Sequence, residues 1–227
     1  MSQPIFIALT VEGTTDTRFL ESILESVFQE LALNHLDADV ECEVSVLGRY
    51  DKSEGFCSGV IKASKMSRSE SLWADTLAVH TDADKMTYDE RRNTNFDSVF
   101  EKLKNVNPEE YCTVITPIIP VRMIEAWMLA DCDLLRQEIG TSLTKAQLGI
   151  DGNPESFADP KSKVEDAIRI AEESATHKRP TNKISIGELY QIIGKKISLE
   201  RLEQLSSFQR FEQEVLNTFK EIGLRVH

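Results

Sequence analysis

The stretch Ile5-Phe6-Ile7-Ala8-Leu9-Thr10-Val11 is an almost unbroken apolar run bounded by a turn. A half-exposed strand alternates apolar with polar, so a run of this kind reads as a strand covered on both faces. Helices must then lie above and below it, and the following chain supplies them. Glu12-Gly13-Thr14-Thr15-Asp16 is a turn with groups that can cap a helix. That helix continues to about Leu33, with Phe19, Leu20, Ile23, Leu24, Val27 and Leu31 on its apolar side. Val40–Val46 alternates strictly and predicts a second strand with one buried face. Polar, glycine-containing sequence from Gly48 to Gly59 leads into a helix ending near Arg68. Asp75–His80 reads as a third strand, and it ends in Thr81-Asp82-Ala83-Asp84. A helix over Asp89–Lys104 and a fourth strand, Cys112–Thr116, come next. Pro117 and Pro120 break the chain before a helix over Val121–Gln137.

Strands alternating with helices specify an α/β fold: a parallel sheet of about four strands, Rossmann-like, flanked by helices. Such folds place their sites in loops leaving the carboxyl ends of the strands. The acidic clusters around Glu12 and Asp82 both fall there. Residues 1–140 form the sheet domain in this reading. From 141 to 227 the character changes: a turn-rich stretch to Pro160 precedes helices at Lys161–Ser174, Ile186–Ile193 and Ser198–Ile222. The last carries apolar residues from Leu199 to Ile222 at helical spacing, with Gly223 as a stop. This third of the chain is expected to be a helical extension packed on the sheet domain.

The acids at the strand ends suggest metal chemistry. Magnesium prefers carboxylate oxygens and keeps several waters, so one or two acids plus substrate phosphates suffice to hold it. Asp82 and Asp84 could reach one ion if the loop turns, and Glu12 from another strand could bind a second ion or move a proton. The plainer reading is that Glu12 and Asp16 favour a helix N-terminus and that Asp82 and Asp84 are solvated loop acids.

The two clusters together resemble the Toprim family. Val11-Glu12-Gly13-x-x-Asp16-x-x-Phe19-Leu20 after an apolar strand resembles the first Toprim motif. Val79-His80-Thr81-Asp82-Ala83-Asp84 resembles the second, the D-x-D motif. The likeness spans roughly the first 120 residues, and within the family it is greatest to small stand-alone proteins of prokaryotic defence loci, relatives of the OLD, RloB and AbiL nucleases. Pro120–Asp131 resembles a stretch that recurs in that group, and Asp159-Pro160-Lys161 a short motif of it. The resemblance implies that Glu12 is a general acid/base or metal ligand and that Asp82 and Asp84 hold magnesium, or manganese, with Asp16 among the candidate ligands. It also implies nuclease activity, DNA before RNA, and an ABC- or AAA-type ATPase partner. Neither the tyrosine domain of topoisomerases nor the zinc module of primases is visible, which favours hydrolysis by activated water.

Several further residues carry two readings. Glu125 has almost only apolar neighbours, where a carboxylate is costly unless paired or metal-bound; it is an accessory ligand, or a helical acid paired with Arg122. Lys161 is a candidate for stabilising developing negative charge, against an ordinary surface lysine. His80 and Lys85 flank the D-x-D acids as candidate substrate contacts, although a histidine ending a strand is more often structural. Lys178, Arg179 and Lys183 lie in an acid-free basic loop that could follow a phosphate backbone.

The formal net charge of −12 over 227 residues works against tight, autonomous binding of nucleic acid. No apolar run is long enough to cross a bilayer, the N-terminus lacks the basic start of a signal peptide, and the four cysteines form no C-x-x-C pair. These features suit a cytoplasmic protein, with oligomerisation left open. Two other classes remain: a non-catalytic Toprim module regulating a partner ATPase, and a D-x-D nucleotide-sugar transferase, which leaves the Glu12–Asp16 motif unexplained.

Overall fold

A computed structural model describes residues 3–174 and 184–227. Its centre is a four-stranded, all-parallel sheet in the order β2-β1-β5-β6. The strands are β1 (Gln3–Val11), β2 (Val40–Arg49), β5 (Thr76–His80) and β6 (Ile115–Ile118). A short antiparallel hairpin, β3 (Arg68–Ser69) with β4 (Leu72–Trp73), stands apart and has no counterpart in the sequence reading. β5 is buried along its whole length and β1 from Ile7 to Val11, as continuous apolar runs require.

The two faces carry different helices. Ile5, Ile7, Leu9 and Val11 pack with α1 (Asp16–His35) and with the C-terminal helices α6 (Pro160–Ser174), α7 (Ile186–Lys196) and α9 (Ser206–Glu221). Ala8, Leu77 and Val79 face α2 (Phe56–Met66) and α3 (Tyr88–Leu103). The fold is therefore α/β and Rossmann-like, and the C-terminal helices share one buried cluster with β1 and α1. Among the described residues no helix is long and apolar enough to cross a membrane.

Three elements differ from the sequence reading. The fourth strand lies three residues later than expected and contains Pro117. β6 is the edge of the sheet, and its carbonyls at Val114 and Ile118 accept from Leu77 and Thr81. Pro117, of the opposite parity, turns its missing donor to the open side, where proline is tolerated. The helix expected over 121–137 is interrupted: α4 (Glu125–Met128), a single 3-10 turn and α5 (Cys132–Glu138) follow one another, and the Asp131 carboxylate caps α5 through the Asp133 and Leu134 N–H groups. The last helix is likewise divided into α8 (Leu199–Leu202) and α9. Glu155 causes the second start, because its carboxylate accepts from Ser206 N, Ser206 Oγ and Ser207 N.

α7 fixes the position of α1, the helix that follows the first acidic motif. Arg18 Nη1 donates to Gly187 O at 3.2 Å, and Gly194 lies against the α1 backbone. A Cβ at Gly194 would fall 2.6 Å from Phe19 O and 2.9 Å from Phe19 Cα, so α7 must move before a side chain fits. Gly194→Ala is therefore expected to cost about 1–3 kcal/mol in urea denaturation. Unchanged stability would show that the two helices do not touch there.

Candidate functional site

The chain passes from β1 outward to β2 on one side, then returns to lay β5 against the other side of β1. The strand order thus reverses between β1 and β5, and such a switch point leaves a crevice beyond the carboxyl ends. Glu12 directly follows β1, and Asp82 and Asp84 lie just beyond β5, so all three acids reach this crevice.

The first loop is shaped by its own acid. Asp16 opens α1, and its Oδ2 accepts the Gly13 N–H at 2.8 Å. A Cβ at Gly13 would come within 3.0 Å of that oxygen, so glycine keeps the turn uncrowded. On the neighbouring strand, β2 carries an irregularity that shifts pairing from Leu9–Val46 to Thr10–Gly48, with Gly48 at φ 85°. Bulges of this kind re-aim a strand end near a site.

His80 joins the two motifs. It has no exposed surface, and its Nδ1 and Nε2 lie 3.3 Å from Asp16 Oδ2 and 3.3 Å from Asp82 Oδ1. Both contacts are at ion-pair distance, and neither nitrogen has another partner. Burial alone would favour a neutral ring, but the two carboxylates outweigh it and raise the pKa to about 10. Asp16 feels burial too, yet His80 and the Gly13 N–H hold its pKa below the ordinary value. For Asp82, burial pushes the pKa up while His80 opposes it. Asp82 Oδ1 also accepts the Ile124 N–H at 3.0 Å, which ties in the loop after β6.

Glu12 bridges to the second motif directly. Its Oε2 accepts from Thr81 Oγ1 at 2.9 Å and from the Asp82 N–H at 3.3 Å, while its Oε1 meets Lys52 Nζ at 2.6 Å. Burial would raise its pKa, but Lys52 and Thr81 leave it lowered. Asp84 has φ 54° and pairs with Arg91 Nη2 at 2.5 Å. Glu12, Lys52, Thr81, Asp84 and Arg91 line one cleft of about 300 Å³ with Tyr50 and Phe56.

Glu125 is buried at the start of α4 and accepts a hydrogen bond from the Tyr190 hydroxyl. Burial raises its pKa, Tyr190 lowers it, and Asp82 and Lys161 act on it with opposite signs, so these groups share one electrostatic neighbourhood. Arg122 does not pair with Glu125; its Nη1 reaches Asp84 O at 3.4 Å. Lys161 is exposed in the first turn of α6, where Asp159 caps the helix by accepting the Ser162 N–H.

The candidate acids thus fall into two groups. Glu12 and Asp84 open on the cleft, while Asp16, Asp82 and Glu125 are drawn against His80 and Tyr190. Among the described residues no three acidic, histidine or cysteine side chains stand ready around one point. Lys85 is exposed beside Asp84, and Lys178, Arg179 and Lys183 lie outside the described residues. Arg91 and Tyr190 were not identified as site residues from sequence, and Lys52 only as one of the basic residues of the second loop–helix unit that could follow a phosphate backbone. Lys52 sits in a basic segment and Arg91 seven positions after Asp84, but nothing in the local pattern directs either to its acid.

The fold and site define a Rossmann-like α/β protein with an acidic switch-point crevice. The chain belongs to the family described as a domain of unknown function (DUF4276), whose family model matches residues 11–216 and so takes in the crevice and the C-terminal helices together. No curated protein and no solved structure matches it.

Replacing the buried cation leaves two carboxylates facing each other without compensation. His80→Gln is therefore expected to cost about 3–5 kcal/mol near neutral pH. The folded-state pKa of about 10 lies above the ordinary 6.5, so the stabilisation is complete below pH 6.5 and is lost as pH rises through 10. Urea denaturation of both proteins across that range should show the difference closing; a constant difference would mean a neutral ring.

Proposed function

We propose that this chain is a metal-dependent phosphodiesterase acting on nucleic acid, with Glu12, Asp82 and Asp84 as its acidic centre. The observation that carries the reading is the Glu12 carboxylate, which accepts from both Thr81 and the Asp82 N–H and so makes one site of two sequence motifs. The resemblance of those motifs to Toprim nucleases supplies the reaction class.

The donors present suit magnesium or manganese. They are hard carboxylate oxygens, and Glu12 and Asp84 share an open cleft in which water and phosphate oxygens can fill the remaining positions. Glu12 and Asp84 would hold the ion, with Asp82 beside them; when bound, it would stabilise charge on the phosphodiester and lower the pKa of a water. The lowered pKa of Glu12 keeps it ionised, as a metal ligand must be. Lys52 and Arg91 line the same cleft and can turn their donors to phosphate oxygens. Glu125, held by the Tyr190 hydroxyl, lies in the same electrostatic neighbourhood as Asp82, and Lys161 adds positive charge there.

In this reading DNA is the substrate before RNA, and an ABC- or AAA-type ATPase delivers it in an antiphage defence system. The charge of −12 favours such assistance. One observation supports a second reading, a non-catalytic module that regulates the ATPase: Glu12, Asp82 and Asp84 already face Lys52, His80 and Arg91 of the same chain.

Glu12→Gln and Asp84→Asn, assayed with manganese on DNA together with the cognate ATPase, should each lower cleavage by about a hundredfold or more. Undiminished cleavage by both variants would remove the proposed centre. Calorimetry separates the readings, because a regulator without metal chemistry should bind no manganese.

A further inference from the structure

A second cleft of about 420 Å³ lies beside the acidic one, between the β5–α3 loop, the β6–α4 loop and the start of α9. Lys85, Arg122 and Arg210 line it, with Tyr88, Asp89 and Glu155. We propose that this cleft is a channel for a nucleic-acid backbone, with Lys85, Arg122 and Arg210 as its phosphate contacts. The proposal rests on the phosphodiesterase reading and names the surface that would hold the substrate against the acidic centre.

The charge pattern favours the cleft. In a chain with 38 acids and 26 Lys and Arg residues, seven of the thirteen Lys and Arg residues of the sheet domain pair with an acid of the chain itself. Lys85 and Arg122 have no carboxylate partner among the described residues. Arg210 has only a loose one, Asp89 at 3.9 Å, with both side chains well exposed, and its guanidinium stands over the Tyr88 ring. Contacts of that kind hold a side chain weakly. Of the two acids that line the cleft, Glu155 is already spent on the three donors that start α9, which leaves Asp89. The cleft therefore sets three cations against one free carboxylate, Asp89.

Backbone geometry connects the channel to the acidic centre. Among the described residues Asp84 and Arg122 are the two non-glycine positions with positive φ, at 54° and 67°. They are bonded to each other: the Asp84 N–H donates to Arg122 O at 2.8 Å, and Arg122 Nη1 donates to Asp84 O. Conformations of this kind persist only where surroundings enforce them, and they concentrate at functional sites. Here the pair turns the Asp84 carboxylate to one cleft and sets Arg122 in the other. A strand held in the channel would pass over the D-x-D loop, with its next phosphates toward Arg91 and Lys52.

Fluorescence anisotropy of short labelled DNA, duplex and single-stranded, in EDTA tests the proposal without cleavage. Lys85→Glu/Arg210→Glu is compared with Lys104→Glu/Lys220→Glu, which changes net charge equally at exposed positions outside the cleft. The channel variant should bind about tenfold or more weakly, and its log–log salt slope should fall by roughly 1.5–2, the loss expected for two phosphate contacts. The control pair should keep the wild-type slope. Equal behaviour of the two variants, or a wild type that binds neither DNA, would overturn the channel. Cleavage distinguishes the two proposals: loss of activity in Glu12→Gln with unchanged DNA binding in the channel variant refutes the channel alone. DNA binding that depends on Lys85 and Arg210, with cleavage unaffected by Glu12→Gln, refutes the acidic centre alone.

Discussion

A buried histidine clamped between two carboxylates, which raise its pKa to about 10, organises this molecule. His80 ends β5, Asp16 begins α1, and Asp82 opens the D-x-D loop, so their contacts draw three elements to one point. Through the Ile124 N–H on Asp82 a fourth, the loop after β6, is held as well. Burying charge is expensive, and ion pairs of this kind seldom add stability over an apolar replacement. Their use here is geometric. The cluster fixes the two loops from which Glu12 and Asp84 reach the cleft.

The C-terminal helices belong to that construction. α7 reaches across to α1 through Arg18 and the close approach at Gly194, and Tyr190 on the same helix meets Glu125. Glu155 decides where α9 starts, and by doing so it sets Arg210 beside the loops that carry Lys85 and Arg122. The sheet places the acids, while the helical third supplies the hydroxyl behind them and part of the basic wall next to them. A family match that takes in both parts is consistent with one cooperative unit.

Much of this was legible in the sequence, and the reasons are physical. β1 and β5 are covered on both faces, so their apolar runs are unmistakable, and the turns after them lie where α/β folds keep their sites. The acidic residues could therefore be named without knowing their partners. The partners themselves were hidden because they are distant in sequence: 40 residues separate Lys52 from Glu12, and 65 separate Tyr190 from Glu125. The errors follow the same logic. Pro117 reads as a breaker until its strand is known to be an edge, and two apparently continuous helices are divided at acids that cap new starts, Asp131 locally and Glu155 from 51 residues away. His80 looks like any histidine at a strand end until Asp16 arrives from the other motif.

The protonation state of that histidine is the most direct measure of the central cluster. Nitrogen-15 NMR of the imidazole side chains at about pH 8, where an ordinary histidine is neutral, reads it without perturbing the protein. Both ring nitrogens of His80 should carry protons and resonate together as an imidazolium. One protonated and one bare nitrogen would mean a neutral ring, and the two acidic motifs would then not be joined by charge.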